Sequence, residues 1–475
     1  MIFRMFSDED VRRINEASLE VLESVGVEVP HVETLERFRQ SGAGVDEKTR
    51  RVKIPRDLVA KCLASAGKSY SLFGRDPQKQ AHFGMGTRNY NSIAGEASWL
   101  DEECMERRFA ALADVETAAR LGDALPAINV VGAMADPHDA PAAVQDVLVL
   151  QRLVKNTSKP FVFWFNNRMS TRYVCDMLTA LAGSEPAVGE RPPTYNFLEP
   201  ISPLRFAFNG IDLLYETARF PLPVSIGPMA QAGATAPVTL AGTLVVENAE
   251  ILAGVCITQL IREGTPVCYG GIPHTMDMRT TQMVFSGPEQ ALMAAGAVQL
   301  GKLHGLPVYI NVGLTDSKIP DAQAGLESGM TLLAGALAGA DIFGHMGICG
   351  VDQATSLTML VMQDEIIQYV ERIMAGVKVD EDTLAVDVIR SVGPGGNYLS
   401  EPHTAQHLRT EHWFPRLLDR RFFDAWAAEG KRDMAWRCRE MKEKLLAEHE
   451  VTPLHPAVEK EIDRIAASAT KEAGQ

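Results

Sequence analysis

The feature that most constrains this chain is an alternation. Between residues 86 and 375, short apolar runs of β character recur, and a segment of helical periodicity follows each one. The runs cover residues 128–133, 161–165, 194–198, 223–226, 266–270, 307–312 and 342–345, with a further candidate at 88–94. The helical segments cover 142–155, 171–182, 210–219, 238–263, 288–304, 322–338 and 357–375. Such alternation calls for parallel strands joined by helical crossovers. The runs are apolar almost throughout, as strands covered on both faces must be. Three of them start alike, at Phe220-Pro-Leu-Pro-Val, Gly264-Thr-Pro-Val and Gly305-Leu-Pro-Val. Proline stops the preceding helix and is tolerated at a strand start.

No Gly-x-Gly-x-x-Gly follows the first strand, so a dinucleotide fold loses support. The pattern predicts an α/β fold, a (β/α)8 TIM barrel over residues 86–375. Residues 1–85 read as an N-terminal helical cap. They open on Ser7-Asp8-Glu9-Asp10, a capping-box pattern, with helices at 32–41 and 55–66 and a short strand at 51–54. Residues 376–475 read as a helical C-terminal extension.

Composition excludes several classes. There are 46 Lys and Arg against 61 Asp and Glu, a formal charge of −15, so a general nucleic-acid face is not expected. Seven cysteines, Cys104 among them, are scattered without a C-x-x-C pair. They read as reduced thiols. The first ten residues turn acidic too early for a signal peptide. The most apolar stretch, 236–261, carries Glu247, Asn248 and Glu250. No membrane association and a cytoplasmic location are expected.

In a barrel the chemistry lies where the strands end. Those ends offer Trp164, Phe165, Phe197, Glu199, Gln231, Tyr269, His274, Asn311, Phe343 and His345. Aromatic faces with a carboxylate suit a quaternary ammonium, which cannot donate hydrogen bonds. His274, His345 and His138 have no local metal-ligand spacing, so no metal is assigned. Gly344, Gly347 and Gly350 form a glycine-rich turn without the Lys-Ser/Thr of a P-loop. It would let a flat cofactor approach the backbone.

The segment Tyr309-Ile-Asn-Val-Gly-Leu-Thr-Asp-Ser-Lys-Ile-Pro-Asp-Ala-Gln-Ala-Gly resembles the signature region of the trimethylamine methyltransferase (MttB-like) family. Phe6-Ser-Asp-Glu-Asp, Val52-Lys-Ile-Pro, Phe73-Gly-Arg-Asp, Ser202-Pro-Leu, Leu240-Ala-Gly-Thr-Leu-Val, Asn248-Ala-Glu, Glu381-Asp-Thr-Leu-Ala-Val and Leu418-Asp-Arg resemble it too. The resemblance implies methyl transfer to Co(I) of a corrinoid (cobalamin) carried by a partner protein, and a homo-oligomer. In the trimethylamine enzymes the residue before [Ser/Thr]-Asp-x-Lys is pyrrolysine, an electrophile. Here it is Leu314. The chain therefore resembles the non-pyrrolysine branch, and glycine betaine is the favoured substrate. Carnitine, γ-butyrobetaine, proline betaine and choline stay open. So do a quaternary-amine sensor without turnover and a zinc-dependent methyltransferase or hydrolase. Leu314, Asp316 and His345 are the catalytic candidates. A betaine carboxylate would need Arg168, Arg205, His274, Arg279, Lys318, His345 or backbone N–H groups near 344–350. Asp316 and Lys318 could pair to fix their loop. His403 and His407 read as structural, not as cobalt ligands.

Overall fold

The computed structural model describes residues 3–102 and 105–474. Cys104 and the first two residues lie outside the described residues. The eight expected strands are present, all parallel: β1 (Asn89–Ser92), β2 (Val131–Gly132), β3 (Phe161–Val162), β4 (Asn196–Leu198), β5 (Val224–Ile226), β6 (Val267–Gly271), β7 (Val308–Ile310) and β8 (Ile342–Met346). Six form one curled sheet in the order β4-β5-β6-β7-β8-β1. Strands β2 and β3 pair with each other. An Asn91–Val130 bridge joins β2 to β1, and the Phe161 amide donates to Pro193 O at 3.0 Å on the β4 side.

The prolines at strand starts have a second use. Each lacks an N–H, yet its carbonyl takes a ladder bond from the preceding strand. Val131 N donates to Pro160 O, Asn196 N to Pro223 O, Val224 N to Pro266 O and Tyr269 N to Pro307 O, at 2.8–2.9 Å. Proline thus ends the helix without interrupting the sheet.

Successive strand residues face opposite ways, and contacts fix which way. Tyr195, Cys268, Tyr309 and Ile342 cluster with Val130 and Val162 on the concave face. Their neighbours Tyr269, Ile310 and Phe343 meet the surrounding helices. At one end of the concave face an antiparallel hairpin, Tyr70–Phe73 with Gln80–Phe83, inserts Leu72 and Phe83 into that cluster. At the other end, two small sheets rise from the strand ends. One joins Gln231–Ala232, His274–Asp277 and Gln282–Val284. The other joins Ser98–Asp101, Glu106–Phe109, Ile348–Cys349 and Ala354–Thr355.

The helix Leu240–Ile261 is long and apolar enough to span a bilayer, but most of it is buried inside the protein. It is a core helix, against which Asp8–Ser24 and Arg56–Ser65 pack. The C-terminal extension is helical, but its two parts differ. Met434–Glu448 and Pro456–Ala473 pack onto the outer helices and bury Cys438, Ile462, Ile465, Ala466 and Ala469. Glu381–Leu384, Val386–Val392 and Pro402–Glu411 bury no residue among those described.

Candidate active site

Four rings meet above the concave face. Trp164 contacts Phe197 (centroids 5.9 Å apart), Phe197 contacts Tyr309 (5.6 Å), Tyr309 contacts His345 (5.9 Å) and His345 contacts Trp164 (6.3 Å). The circuit closes on itself. Successive planes are inclined at 66–84°, as the adjoining walls of a box are. Trp164 is held by its indole N–H, which donates to Gly95 O at 2.9 Å.

Glycine makes the room. A Cβ on Gly344 would lie 1.7 Å from the Tyr309 hydroxyl, and one on Gly227 would lie 2.4 Å from the Phe197 ring. At β8 the register with β1 shifts between Phe343 and Met346, and His345 adopts φ +70°. That irregularity turns its ring toward Trp164 and Tyr309. Strained backbone of this kind is stable only where its surroundings enforce it. Val351 (φ +63°) and Asp352 (φ +59°) form a second such place.

The polar groups here are unusual in having no partners. The Tyr309 hydroxyl, both amide atoms of Asn311, His345 Nδ1, Asn91 Oδ1 and Asp352 Oδ1 are all buried without a hydrogen bond. Native proteins rarely leave such atoms unsatisfied, so the group suits a ligand or ordered water. Burial drives His345 down to about 3, so its imidazole is neutral at physiological pH.

Three carboxyl groups stand beside the rings. Glu96 and Asp352 share a hydrogen bond, and burial raises both above the usual carboxylate range, with mutual repulsion adding to the rise at Glu96. Glu199 is exposed and lines a cavity of about 340 Å³ with Trp164, Phe165, Phe197, Ile201 and Leu213. Its carboxyl stands among protein atoms at the cavity wall. That desolvation, and then Asp352, raise it to about 7. Two larger clefts, about 540 and 680 Å³, lie elsewhere and border none of the four rings.

The expected residues are thus partly assembled. Trp164, Phe197, His345, Asn311 and Glu199 gather at the mouth, and Phe165 borders the cavity while stacking on Phe163 at 4.8 Å. Tyr269 and Phe343 do not join them. Strand parity turns both outward: Tyr269 donates to Asn248 Oδ1 at 3.2 Å, and Phe343 stacks on Tyr90 at 4.8 Å. Gln231 and His274 sit in the small sheet over the strand ends. His274 Nδ1 is 3.1 Å from Ile272 O, and burial lowers its pKa. His138 stacks on Phe109 at 4.1 Å. The glycine turn is not an open cradle either: Gly344 makes way for Tyr309, and Gly347 for Met134, whose Cε would lie 2.2 Å from an added Cβ. Gly350 donates its N–H to Ser317 O at 2.7 Å.

Leu314 is fully buried, and its carbonyl accepts from Ser286 Oγ at 2.6 Å. Asp316 and Lys318 do not pair through the carboxylate. Asp316 accepts from the Phe285 N–H at 2.9 Å, and Lys318 Nζ donates to the Asp316 carbonyl at 2.8 Å. Glu327 completes the loop by accepting from Thr315 Oγ1 and Asp316 N.

The residues missed from sequence are Tyr309, Glu96, Asp352, Tyr195 and Asn91. Tyr309 was findable, since it lies two residues before Asn311 and so shares its face. The carboxyl groups sit in loops that only the fold brings together.

Comparison with known proteins places the chain in a family. The chain matches the trimethylamine methyltransferase (MTTB) family over residues 1–474. It is 34% identical to trimethylamine methyltransferase MttB of Desulfitobacterium hafniense (strain DSM 10664 / DCB-2), covering 94% of this chain and 90% of that one. It is 33% identical to glycine betaine methyltransferase of Desulfitobacterium hafniense (strain Y51), covering 100% and 98%. A crystal structure of the Methanosarcina barkeri monomethylamine methyltransferase MtmB overlaps it with a TM-score of 0.48 at 11% identity, over 98% of this chain and 93% of that one. By its family match and these relatives the chain is a methyltransferase. It belongs to the trimethylamine methyltransferase family.

Proposed function

We propose that this protein transfers a methyl group from a quaternary amine to the corrinoid of a partner protein. The observation that carries the reading is the closed circuit of Trp164, Phe197, Tyr309 and His345 with Glu199 at its side. Each aromatic face contributes about 0.5–2 kcal/mol to holding a cation. Leu314, at the position that pyrrolysine takes in the family resemblance, supplies no electrophile, and a quaternary substrate needs none. Its leaving group is already a neutral tertiary amine, so no general acid is required. A neutral His345 fits that chemistry as a wall.

Cobalt(I) of the corrinoid supplies the nucleophile. The chain's own residues hold one N-methyl group toward the mouth and exclude water from it. Positioning of this kind lowers the entropic part of the barrier. Glu199 balances the substrate charge from the side without sitting on the nitrogen, where it would stabilise the ground state.

We read the eight strands as a closed (β/α)8 barrel, with residues 1–85 as a cap and 376–475 as an extension. A cytoplasmic homo-oligomer goes with that reading.

The relative named for glycine betaine supports a betaine substrate. The charges at the mouth favour a second reading, a quaternary amine that is a net cation, such as choline. None of the cationic groups expected to meet a carboxylate faces the rings. Arg168 pairs with Asp212 at 3.2 Å, Arg279 pairs with Asp277 at 3.0 Å, Arg205 is exposed, and Lys318 is held by its own loop. A zwitterion would bring its carboxylate beside Glu199 and Asp352, which ionise near neutral pH. A hydroxyl tail could instead use the free Asn311 amide or Tyr309 hydroxyl.

Anaerobic methylation of cob(I)alamin tests both, with choline, glycine betaine, carnitine and trimethylamine supplied in turn. Methylcobalamin from any quaternary amine supports the reaction, and choline ahead of glycine betaine supports the charge argument. Methylation from trimethylamine alone would overturn the reading built on Leu314.

A further inference from the structure

The geometry points to a metal site far from the four rings, in the C-terminal extension. We propose that Asp382, His403 and His407 bind one divalent transition-metal ion, zinc by the character of the donor set, and that this ion folds residues 381–411.

Three observations carry this. The first is the donor set. His403 and His407 are four apart on the helix Pro402–Glu411, so they share one face, with ring centroids 4.2 Å apart. One ligand atom from each of the three residues lies within 4.8 Å of the others. Two imidazoles and a carboxylate suit zinc, with a fourth position left for water.

The second is the contact between His407 and Asp382. His407 Nε2 lies 3.2 Å from Asp382 Oδ2, yet it is buried with no hydrogen-bond partner, because the two are not aligned for one. A nitrogen and an oxygen at that distance without a hydrogen bond are spaced like two ligands of one ion. Bonds of about 2.0–2.1 Å in a tetrahedron put the donors about 3.3 Å apart. His403 is oriented for the same purpose. Its Nε2 is 3.0 Å from the Asp382 carbonyl oxygen. Donation there leaves Nδ1 with a free lone pair, the support that metal-binding histidines usually have.

The third is the segment around it. Its three helices bury no residue, and Leu384, Val386, Ile389 and Leu399 are exposed. Burial cannot account for its order. A three-point metal clip between the turn at 382 and the helix at 402 can, because the binding free energy of a structural metal is folding free energy.

The test uses the full-length protein, stripped with EDTA and titrated with zinc(II) alone. We expect one equivalent bound, a rise in melting temperature and loss of protease cleavage between residues 376 and 412. Cobalt(II) in place of zinc should give the visible bands of a four-coordinate site. H403A and H407A should weaken zinc binding at least a hundredfold, while H412A, at an exposed neighbour outside the donor set, should leave it unchanged. Asp382 is exposed, so D382N folds even if a histidine variant does not. It should weaken binding at least tenfold. Stoichiometry far below one in the wild type, or zinc bound equally by H407A, D382N and H412A, would overturn the proposal. None of these readouts depends on methyl transfer.

Discussion

The two ends of the curled sheet solve the same problem in opposite ways. Both bury polar groups. At the base, the charged ones are answered by the chain, although the Tyr70 hydroxyl and His304 Nε2 have no partner. Lys159 Nζ donates to the carbonyls of Gly122, Leu125 and Ile128 at 2.6–2.9 Å. Asp123 accepts from Thr157 Oγ1, Ser158 N, Ser158 Oγ and His449 at 2.7–3.0 Å, with Lys79 at 3.3 Å. Asp341 accepts from the amides of Gly84 and Val308 and from Lys302. At the mouth, the Tyr309 hydroxyl, the Asn311 amide and His345 Nδ1 have no partner. The charged groups of the base are neutralised within the polypeptide, whereas the mouth keeps several polar atoms free. On the proposed reading, stability is concentrated at one end and chemistry at the other.

The largest break of this contrast should come at the base. Asp123→Ala strands five donors, two of them cationic or able to become so. Removing one partner of a buried charged network costs about 3–5 kcal/mol. Denaturant unfolding should show that loss, and activity per folded molecule should be nearly unchanged. A small loss would mean that water can replace the carboxylate there, and the base would then differ little from the mouth.

Next comes Gly344→Ala. The added Cβ meets the Tyr309 hydroxyl at 1.7 Å, and the ring must move by more than an ångström. A misplacement of that size costs about a hundredfold in rate, against about 1–3 kcal/mol in stability for overpacking. Single-turnover methyl transfer and thermal unfolding on the same variant separate the two. Normal turnover would show that Tyr309 is not a wall of the site.

Tyr309→Phe sharpens the contrast further. At the base, removing a polar group destabilises. Here it deletes a buried hydroxyl that has no partner, so stability should stay within about 1 kcal/mol of the parent or rise. Substrate binding should still weaken about tenfold, one lost hydrogen bond or cation contact. A clear fall in stability would mean that the hydroxyl is satisfied in solution.

How much of this was legible follows the same division. The strands and outer helices were readable because apolar runs, helical periodicity and proline at strand starts are local signals. The helix at Ala322–Ala338 matches its expected span, and Pro288–Leu303 ends one residue short of it. The base hairpin is not legible, because Tyr70–Phe73 and Gln80–Phe83 are short and the side chains they pack against lie on distant strands. At the mouth, listing strand-end aromatics found Trp164 and Phe197. It could not separate them from Tyr269 and Phe343, because one residue of register reverses the side chain's face. Glu96 and Asp352 meet only through the loops after β1 and β8. No local pattern announces a pair that far apart in sequence.

The smallest expected effect is a pH dependence, and it tests the mouth without altering its shape. Glu199 ordinarily titrates near 4.5 and is raised to about 7 in the folded protein. Between those values the folded state holds a proton that the unfolded chain has lost. The ligand-free protein should therefore lose stability through this group as pH rises from about 5 to about 7, the sign that linkage requires. Binding runs the other way. Above about 7 the carboxylate is charged, and a quaternary cation beside it is favoured. The dissociation constant for choline should thus fall several-fold between pH 6 and pH 8. In Glu199→Gln that slope should flatten, leaving the aromatic contribution in place. Asp123 offers the internal contrast. Its hydrogen bonds hold it well below the usual carboxylate range, so its contribution persists across the whole window and fades only in strong acid. If choline affinity is flat from pH 6 to pH 8 in the wild type, Glu199 does not sense the bound cation. The charge at the mouth would then rest with Glu96 and Asp352, whose shared proton the variant Asp352→Asn would expose.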